Sequence, residues 1–220
     1  EVEEAYVTFT ALPARLLARV GRILATFGKA NTQHLHALPW ADKPLPIVNL
    51  LGGDEGWRGD GVSIARLLPL GDTFSELTVE VFRGDAEGLF EAPSREDLAY
   101  NGHFRLFRDL TDASNLELGL SYGSGPNATT DDARTDLAGL DLAWRWKPLR
   151  TASYRGLTLR GELFRSDREQ ADGDQEALGW FASAEARLAR RWWVFGRLES
   201  SERARDASQR DHGFALGLTG

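Results

Sequence analysis

The stretch FRLFRDLTDASNLELGLSYGSG, Phe104 to Gly125, decides the fold. After its turn, Leu116, Leu118, Leu120 and Tyr122 fall on every second residue, with Asn115, Glu117, Gly119 and Ser121 between them. A period of two belongs to a β-strand, whose successive side chains point to opposite faces. One face of this strand is apolar and the other is polar or charged. The same alternation recurs along the chain. Leu77, Val79 and Val81 alternate with Glu76, Thr78 and Glu80, and Leu140, Leu142, Trp144 and Trp146 with Asp141 and Arg145. Leu157, Leu159, Gly161 and Leu163 alternate with Thr158, Arg160 and Glu162, and Phe214, Leu216 and Leu218 close the chain.

Working outward, the pattern predicts about eleven strands. They are 3–11, 14–26, 61–69, 73–83, 98–108, 115–123, 134–147, 154–166, 176–188, 191–199 and 211–219, with a possible twelfth at PIVNLL. Helix competes over 181–191, where alanines favour it. The alternation of Trp180, Ala182, Ala184, Ala186 and Leu188 keeps that segment a strand. The links sort by length. Leu12-Pro13, Leu70–Asp72, Asp109–Ser114, Lys147–Ser153 and Arg190-Arg191 read as tight, whereas 27–60, 84–97, 124–133, 167–175 and 200–210 read as long and polar. Short and long alternate, so all the short turns would lie at one end of an antiparallel meander and all the long loops at the other. That is the plan of an outer-membrane β-barrel. The strands are also long, near the roughly 9–11 residues needed to cross a bilayer.

Composition sets the bounds. The 220 residues are enough for one large domain, read here as a single barrel domain over 1–220 with a long inserted loop at 28–60. The chain has no Cys, which excludes disulfides and thiolate metal sites. With 33 acidic against 26 basic residues the net charge is −7, which argues against a nucleic-acid partner. No apolar run approaches the roughly 20 residues of a membrane helix. The chain carries no Met and no signal-peptide pattern, so it is expected to be a processed product or an excerpt.

In a barrel wall the leucine face meets lipid and the charged face lines the lumen. The lumen is then lined by Glu80, Glu117, Asp141, Arg145, Arg160, Glu162, Glu185, Arg187, Arg197 and Glu199. Trp144, Trp146, Tyr154, Trp192 and Trp193 near the short turns, with Tyr122 and Trp180 near the long loops, read as interfacial girdles. Arg66 falls in phase with the apolar set, and Arg19 and Arg22 lie on opposite faces of one strand. A lipid-facing Arg is tolerated near an interface, where its side chain snorkels. A soluble barrel or sandwich, with the leucines as its core, has the same periodicity. So does the barrel part of an energised uptake receptor.

VGRILATFGKANTQHLHALPWADKPL, Val20 to Leu45, resembles the strand-plus-long-loop segment of phosphate-selective (O/P-type) porins and related outer-membrane proteins. The shared features are a Gly-Arg strand, Phe27-Gly28-Lys29, then Asn, His and Pro before Asp42-Lys43-Pro44. YRGLTLRGELFRSDRE, Tyr154 to Glu169, has the same look. The resemblance implies a barrel in the outer membrane of a Gram-negative bacterium, a homotrimer, and a long loop folded inward as a constriction. Such porins have about sixteen strands, so the chain would be part of a larger barrel. The usual terminal aromatic residue is replaced by Leu218-Thr219-Gly220, and a cluster of lumen lysines is missing.

The loop itself carries Trp40, Ile47, Leu50, Leu51 and Trp57, too apolar for a solvated tail, and Pro39, Pro44 and Pro46, which are expected to block helix. It is expected to present His34, His36, Asp42 and Lys43 to the pathway. His34 and His36 lack a firm third ligand, so no metal is expected. No G-x-S-x-G elbow or P-loop occurs, and Ser121 and Ser183 face inward, so neither an enzyme nor a cofactor is expected. The expected function is diffusion of small hydrophilic solutes through a charged lumen, with membrane lipid as the partner.

Overall fold

A computed structural model describes residues 4–94, 96–129, 132–171 and 173–220. Among these, eleven strands form one sheet in strict sequence order, each antiparallel to the next. They are β1 (Ala5–Phe9), β2 (Leu16–Leu24), β3 (Arg58–Leu70), β4 (Thr73–Arg83), β5 (Leu98–Thr111), β6 (Ser114–Pro126), β7 (Arg134–Trp146), β8 (Gly156–Arg168), β9 (Gln175–Arg187), β10 (Trp193–Arg203) and β11 (Asp206–Thr219). The expected start of the first strand at residue 3 lies outside the described residues. The alanine-rich segment is strand, as β9. β3 and β5 to β9 run 13 or 14 residues each. The sheet is not closed. Among the described residues β1 pairs with β2 and β11 with β10, and their outer edges stay unpaired.

The register stacks like on like. Leu77, Phe104, Leu120, Leu140, Leu163 and Trp180 stand side by side across β4 to β9. On the same face Leu118, Leu142, Gly161, Ala182, Leu198 and Phe214 form a second row, Leu116 stands beside Trp144 and Leu159, and Trp146 beside Leu157. The opposite face carries the row Glu76, Arg105, Gly119, Asp141, Glu162, Phe181 and Glu199. A one-residue slip would exchange the two faces, so the chemical contrast between them fixes the register. Arg19 lies on the charged face with its guanidinium 5.4 Å from the Tyr6 ring, whereas Arg66 and Arg22 lie on the apolar face.

Two expectations about the links change. The polar stretch 200–210 is not a loop, because β10 runs to Arg203 and β11 starts at Asp206. Near the rim both faces of a strand are wet, so the sequence loses its contrast while the ladder continues. The remaining links at that end are 25–57, 84–97, 127–133 and 169–174, against 10–15, 71–72, 112–113, 147–155 and 188–192 at the other. Sorting by length is therefore confined to the first two long links. Second, PIVNLL is neither a strand nor barred from helix. Leu45–Leu50 forms a short helix, α1, with Pro46 in its first turn. A missing N–H costs nothing there, since the first helical N–H groups have no partner in the helix.

Segment 25–57, between β2 and β3, lies across the charged face. Its residues Phe27, Trp40, Ile47, Leu50, Leu51 and Trp57 join Phe82, Phe164 and Phe181 of the sheet and Phe90 of the link 84–97 in one apolar cluster. Trp57 is at its centre, with ring centroids 5.1 Å from Phe90, 5.4 Å from Phe82 and 5.9 Å from Phe27.

Candidate functional site

The inner face and its inserted segment bring together most of the residues that the alternation singled out. The neck of the segment is closed by backbone and by Asn31. Ala25 N–H donates to Trp57 O at 2.9 Å. The Asn31 amide donates to Ala25 O and Trp57 O at 2.8 and 3.0 Å and accepts from Trp57 N–H at 3.0 Å. From this neck the chain crosses the sheet one anchor at a time. Glu80 on β4 accepts from Thr26 N–H at 2.7 Å, Thr26 Oγ1 at 2.9 Å and Asn101 Nδ2 at 2.7 Å. Ser121 Oγ on β6 accepts from Gly28 N–H at 2.9 Å and is 2.8 Å from His103 Nδ1 on β5. Lys29 pairs with Glu117 on β6. Glu162 on β8 accepts from Ala30 N–H at 2.7 Å.

The short stretch from Thr26 to Ala30 thus bridges glutamates on β4 and β8. Gly28 takes φ of +62° here, and a Cβ would fall 2.4 Å from Glu162 Oε2 and 2.9 Å from the Phe164 ring. Only glycine fits both the turn and the approach.

A second set of anchors lies on β10. Arg197 Nη2 donates to Asp42 Oδ2 at 2.8 Å and to Glu199 Oε1 at 3.0 Å, and its guanidinium lies 5.1 Å from the Trp40 ring centroid. Glu199 Oε2 accepts from Leu45 N–H at 2.9 Å, at the start of α1. Asn49 Nδ2 reaches Asp211 Oδ2 on β11 at 3.0 Å. The segment thus touches strands from β4 to β11.

Toward the short-turn end the inner face is half-exposed and carries cross-strand ion pairs, two of them diagonal and the Arg105–Glu76 pair directly opposite. Arg145 meets Glu117 at 3.3 Å, Arg160 meets Glu185 at 3.0 Å and Arg105 meets Glu76 at 3.2 Å. Asp141 and Glu162 stand directly opposite each other on β7 and β8, and one oxygen of each, Asp141 Oδ2 and Glu162 Oε2, is buried with no hydrogen-bond partner among the described residues. Arg187 has a different surrounding from its neighbours. It donates to the carbonyls of Ala152, Ala189 and Arg190 and stacks on Trp193 at 5.0 Å, so it ties two turns together at the rim.

The four loop residues separate. Asp42 sits on Arg197. Lys43 is buried and donates to Gln33 O at 2.8 Å and Ala30 O at 3.4 Å, so it braces the segment internally. His34 and His36 stack with ring centroids 5.5 Å apart, and His34 Nε2 is 2.9 Å from Glu4 Oε2, beside the first strand and away from the acidic row. The residues that do cross the inner face, Thr26, Gly28, Lys29 and Ala30, lie in or immediately beside the Phe27-Gly28-Lys29 stretch. Alternation could not rank them, since they belong to no strand. A lone lysine in a chain of only three was the available signal. Among the described residues no group of three or more His, Cys, Asp or Glu is placed to hold a metal.

No family model matches the chain, and no solved structure matches it. It is similar to an uncharacterized protein of Aquifex aeolicus (strain VF5), with 30% identity over 220 residues that cover 87% of this chain and 46% of that protein. The chain spans about half the length of the curated relative it matches.

Proposed function

We propose that the sheet is the wall of a transmembrane β-barrel in a bacterial outer membrane, a porin-like channel for small hydrophilic solutes that segment 25–57 narrows from within. One observation carries this reading: the polarity of the sheet is inside out. Leu120 and Leu140 are 58% and 45% exposed, whereas Glu80, Asp141 and Arg197 are 1%, 2% and 2% exposed. In water this arrangement leaves an apolar surface far larger than monomeric soluble proteins carry. In a bilayer it is the required arrangement, with backbone groups paired within the wall and charges turned away from lipid. No described helix is long and apolar enough to span a membrane, which leaves strands as the only crossing element this reading needs. Closure of the wall is part of the proposal, and the length of the relative leaves room for further strands.

Acidic and basic side chains are mixed on the inner face, with Arg105, Arg145, Arg160 and Arg197 among its glutamates and aspartates, so ion selectivity is weak. The test is membrane fractionation, detergent extraction and planar-bilayer recording. The expected result is a membrane-bound protein that needs detergent and gives discrete conductance steps with little preference for anions or cations. A protein that stays in solution without detergent after mild lysis sinks the reading. The apolar cluster around Trp57 favours a second version, in which the segment occludes the barrel. That version predicts membrane insertion without conductance steps.

A further inference from the structure

The apolar face of β7 to β11 carries a groove of about 700 Å³ that conduction does not use. Leu142 and Leu159 form one bank, and Leu198, Phe214 and Leu216 the other. The register sets small side chains between them, with Gly161 opposite Ala182 and Ala184 opposite Gly196. The floor lies on β9 at Ala182 and Ala184, and the same face of that strand continues through Ala186 toward the turn 188–192. That turn and the neighbouring turn 147–155 are joined by Arg187, whose Nη1 donates to Ala152 O at 3.3 Å. Together they hold Lys147, Arg150, Arg155, Arg190 and Arg191 and no acidic residue. All five cations are exposed, and none forms a salt bridge with a described residue.

We propose that this groove seats one acyl chain of an anionic phospholipid, with its phosphate held by the Arg190-Arg191 turn and the basic turn beside it. The inference rests on the membrane reading above. Charge chooses the occupant. Lys147 has Asp109 and Asp112 beside it, but a neutral lipid leaves the four arginines of the two turns without an opposite charge in either turn, and an anionic headgroup supplies the missing sign. A second copy packed through the same surface about a two-fold axis would bring the cations of both copies together, which is repulsive. Trp192 and Tyr154, exposed in the same two turns, stand at the level where aromatic rings meet headgroups.

The test is native mass spectrometry of the full chain in detergent, titrated with phosphatidylglycerol and with phosphatidylcholine of the same acyl chains. Phosphatidylglycerol is expected to be retained preferentially. The exposed double variant Arg190→Gln/Arg191→Gln should lower its affinity about thirtyfold and leave phosphatidylcholine unchanged. Ala184→Leu, which fills the floor, should weaken both lipids. A wild-type chain that inserts into vesicles but retains the two lipids equally overturns the lipid site alone, as does unchanged retention in the arginine variant. A wild-type chain that needs no detergent and associates with neither vesicle overturns the membrane reading and this site with it.

Discussion

Leu140 and Asp141 are neighbours in sequence and opposites in environment: the leucine is open on the outer face and the carboxylate is sealed under segment 25–57. A substitution at the leucine separates the two solvents this face could meet. Leu140→Arg in a bilayer is expected to cost about 2–4 kcal/mol near the midplane. The same change at an exposed site in water costs within about ±0.5 kcal/mol. Urea unfolding from phospholipid vesicles measures it, and a negligible effect would count against a lipid-facing wall. The buried guanidinium of Arg197 gives the complementary case. Arg197→Met removes the partner of Glu199, whose side chain is sealed from water, and leaves Asp42 to solvent. Stranding a buried charge costs about 3–5 kcal/mol. Adding Glu199→Gln should recover part of that loss, because it removes the stranded charge. If the single and double variants unfold at the same urea concentration, the carboxylate is already relieved by water.

At the scale of the element, segment 25–57 is two pieces with different jobs. Its first stretch, Thr26 to Ala30, is tied to β4, β6 and β8, while Asp42 and α1 are tied to β10 and β11. Deleting 33–50 removes the second piece and keeps the first and the neck. Single-channel conductance is expected to rise, because the apolar bulk of Trp40, Ile47 and Leu50 leaves the inner side. Unchanged conductance together with loss of an oligomer on native gels would assign the segment to a subunit interface. This element also marks where the sequence stopped being legible. Strands announce themselves because a two-faced environment imposes a two-residue period, and the paired faces of β4 to β9 followed from it residue by residue. Inside the inserted segment no such period exists. A sealed Lys43, a helix opened by Pro46 and a glycine at Gly28 each answer to tertiary neighbours from strands far away in sequence. The link at 200–210 failed for the opposite reason, since a wet rim erases the contrast that the reading depends on.

Among the described residues the molecule is one sheet with two free margins, and a membrane does not accept free margins. Every backbone N–H and C=O in the hydrocarbon region must be paired, at a cost of several kcal/mol for each one left alone. β11 turns one edge to β10 over its length and leaves the other unpaired. On its apolar face Phe214, Leu216 and Leu218 are among the most exposed side chains of the protein, so in the proposed wall this strand would meet hydrocarbon as its neighbours do. In water the same edge is an open template for strand addition. Within a bilayer it must be met by another strand, whether β1, further strands of a protein as long as the relative, or another copy. Amide exchange tells these states apart from a simple open sheet. In vesicles, the N–H groups of Gly213 to Leu218 that point away from β10 should exchange as slowly as those that point toward it, because both sets are hydrogen bonded. Alternating fast and slow amides along β11 in an inserted protein would mean that the margin stays open, and a wall open to lipid cannot be the structure that conducts.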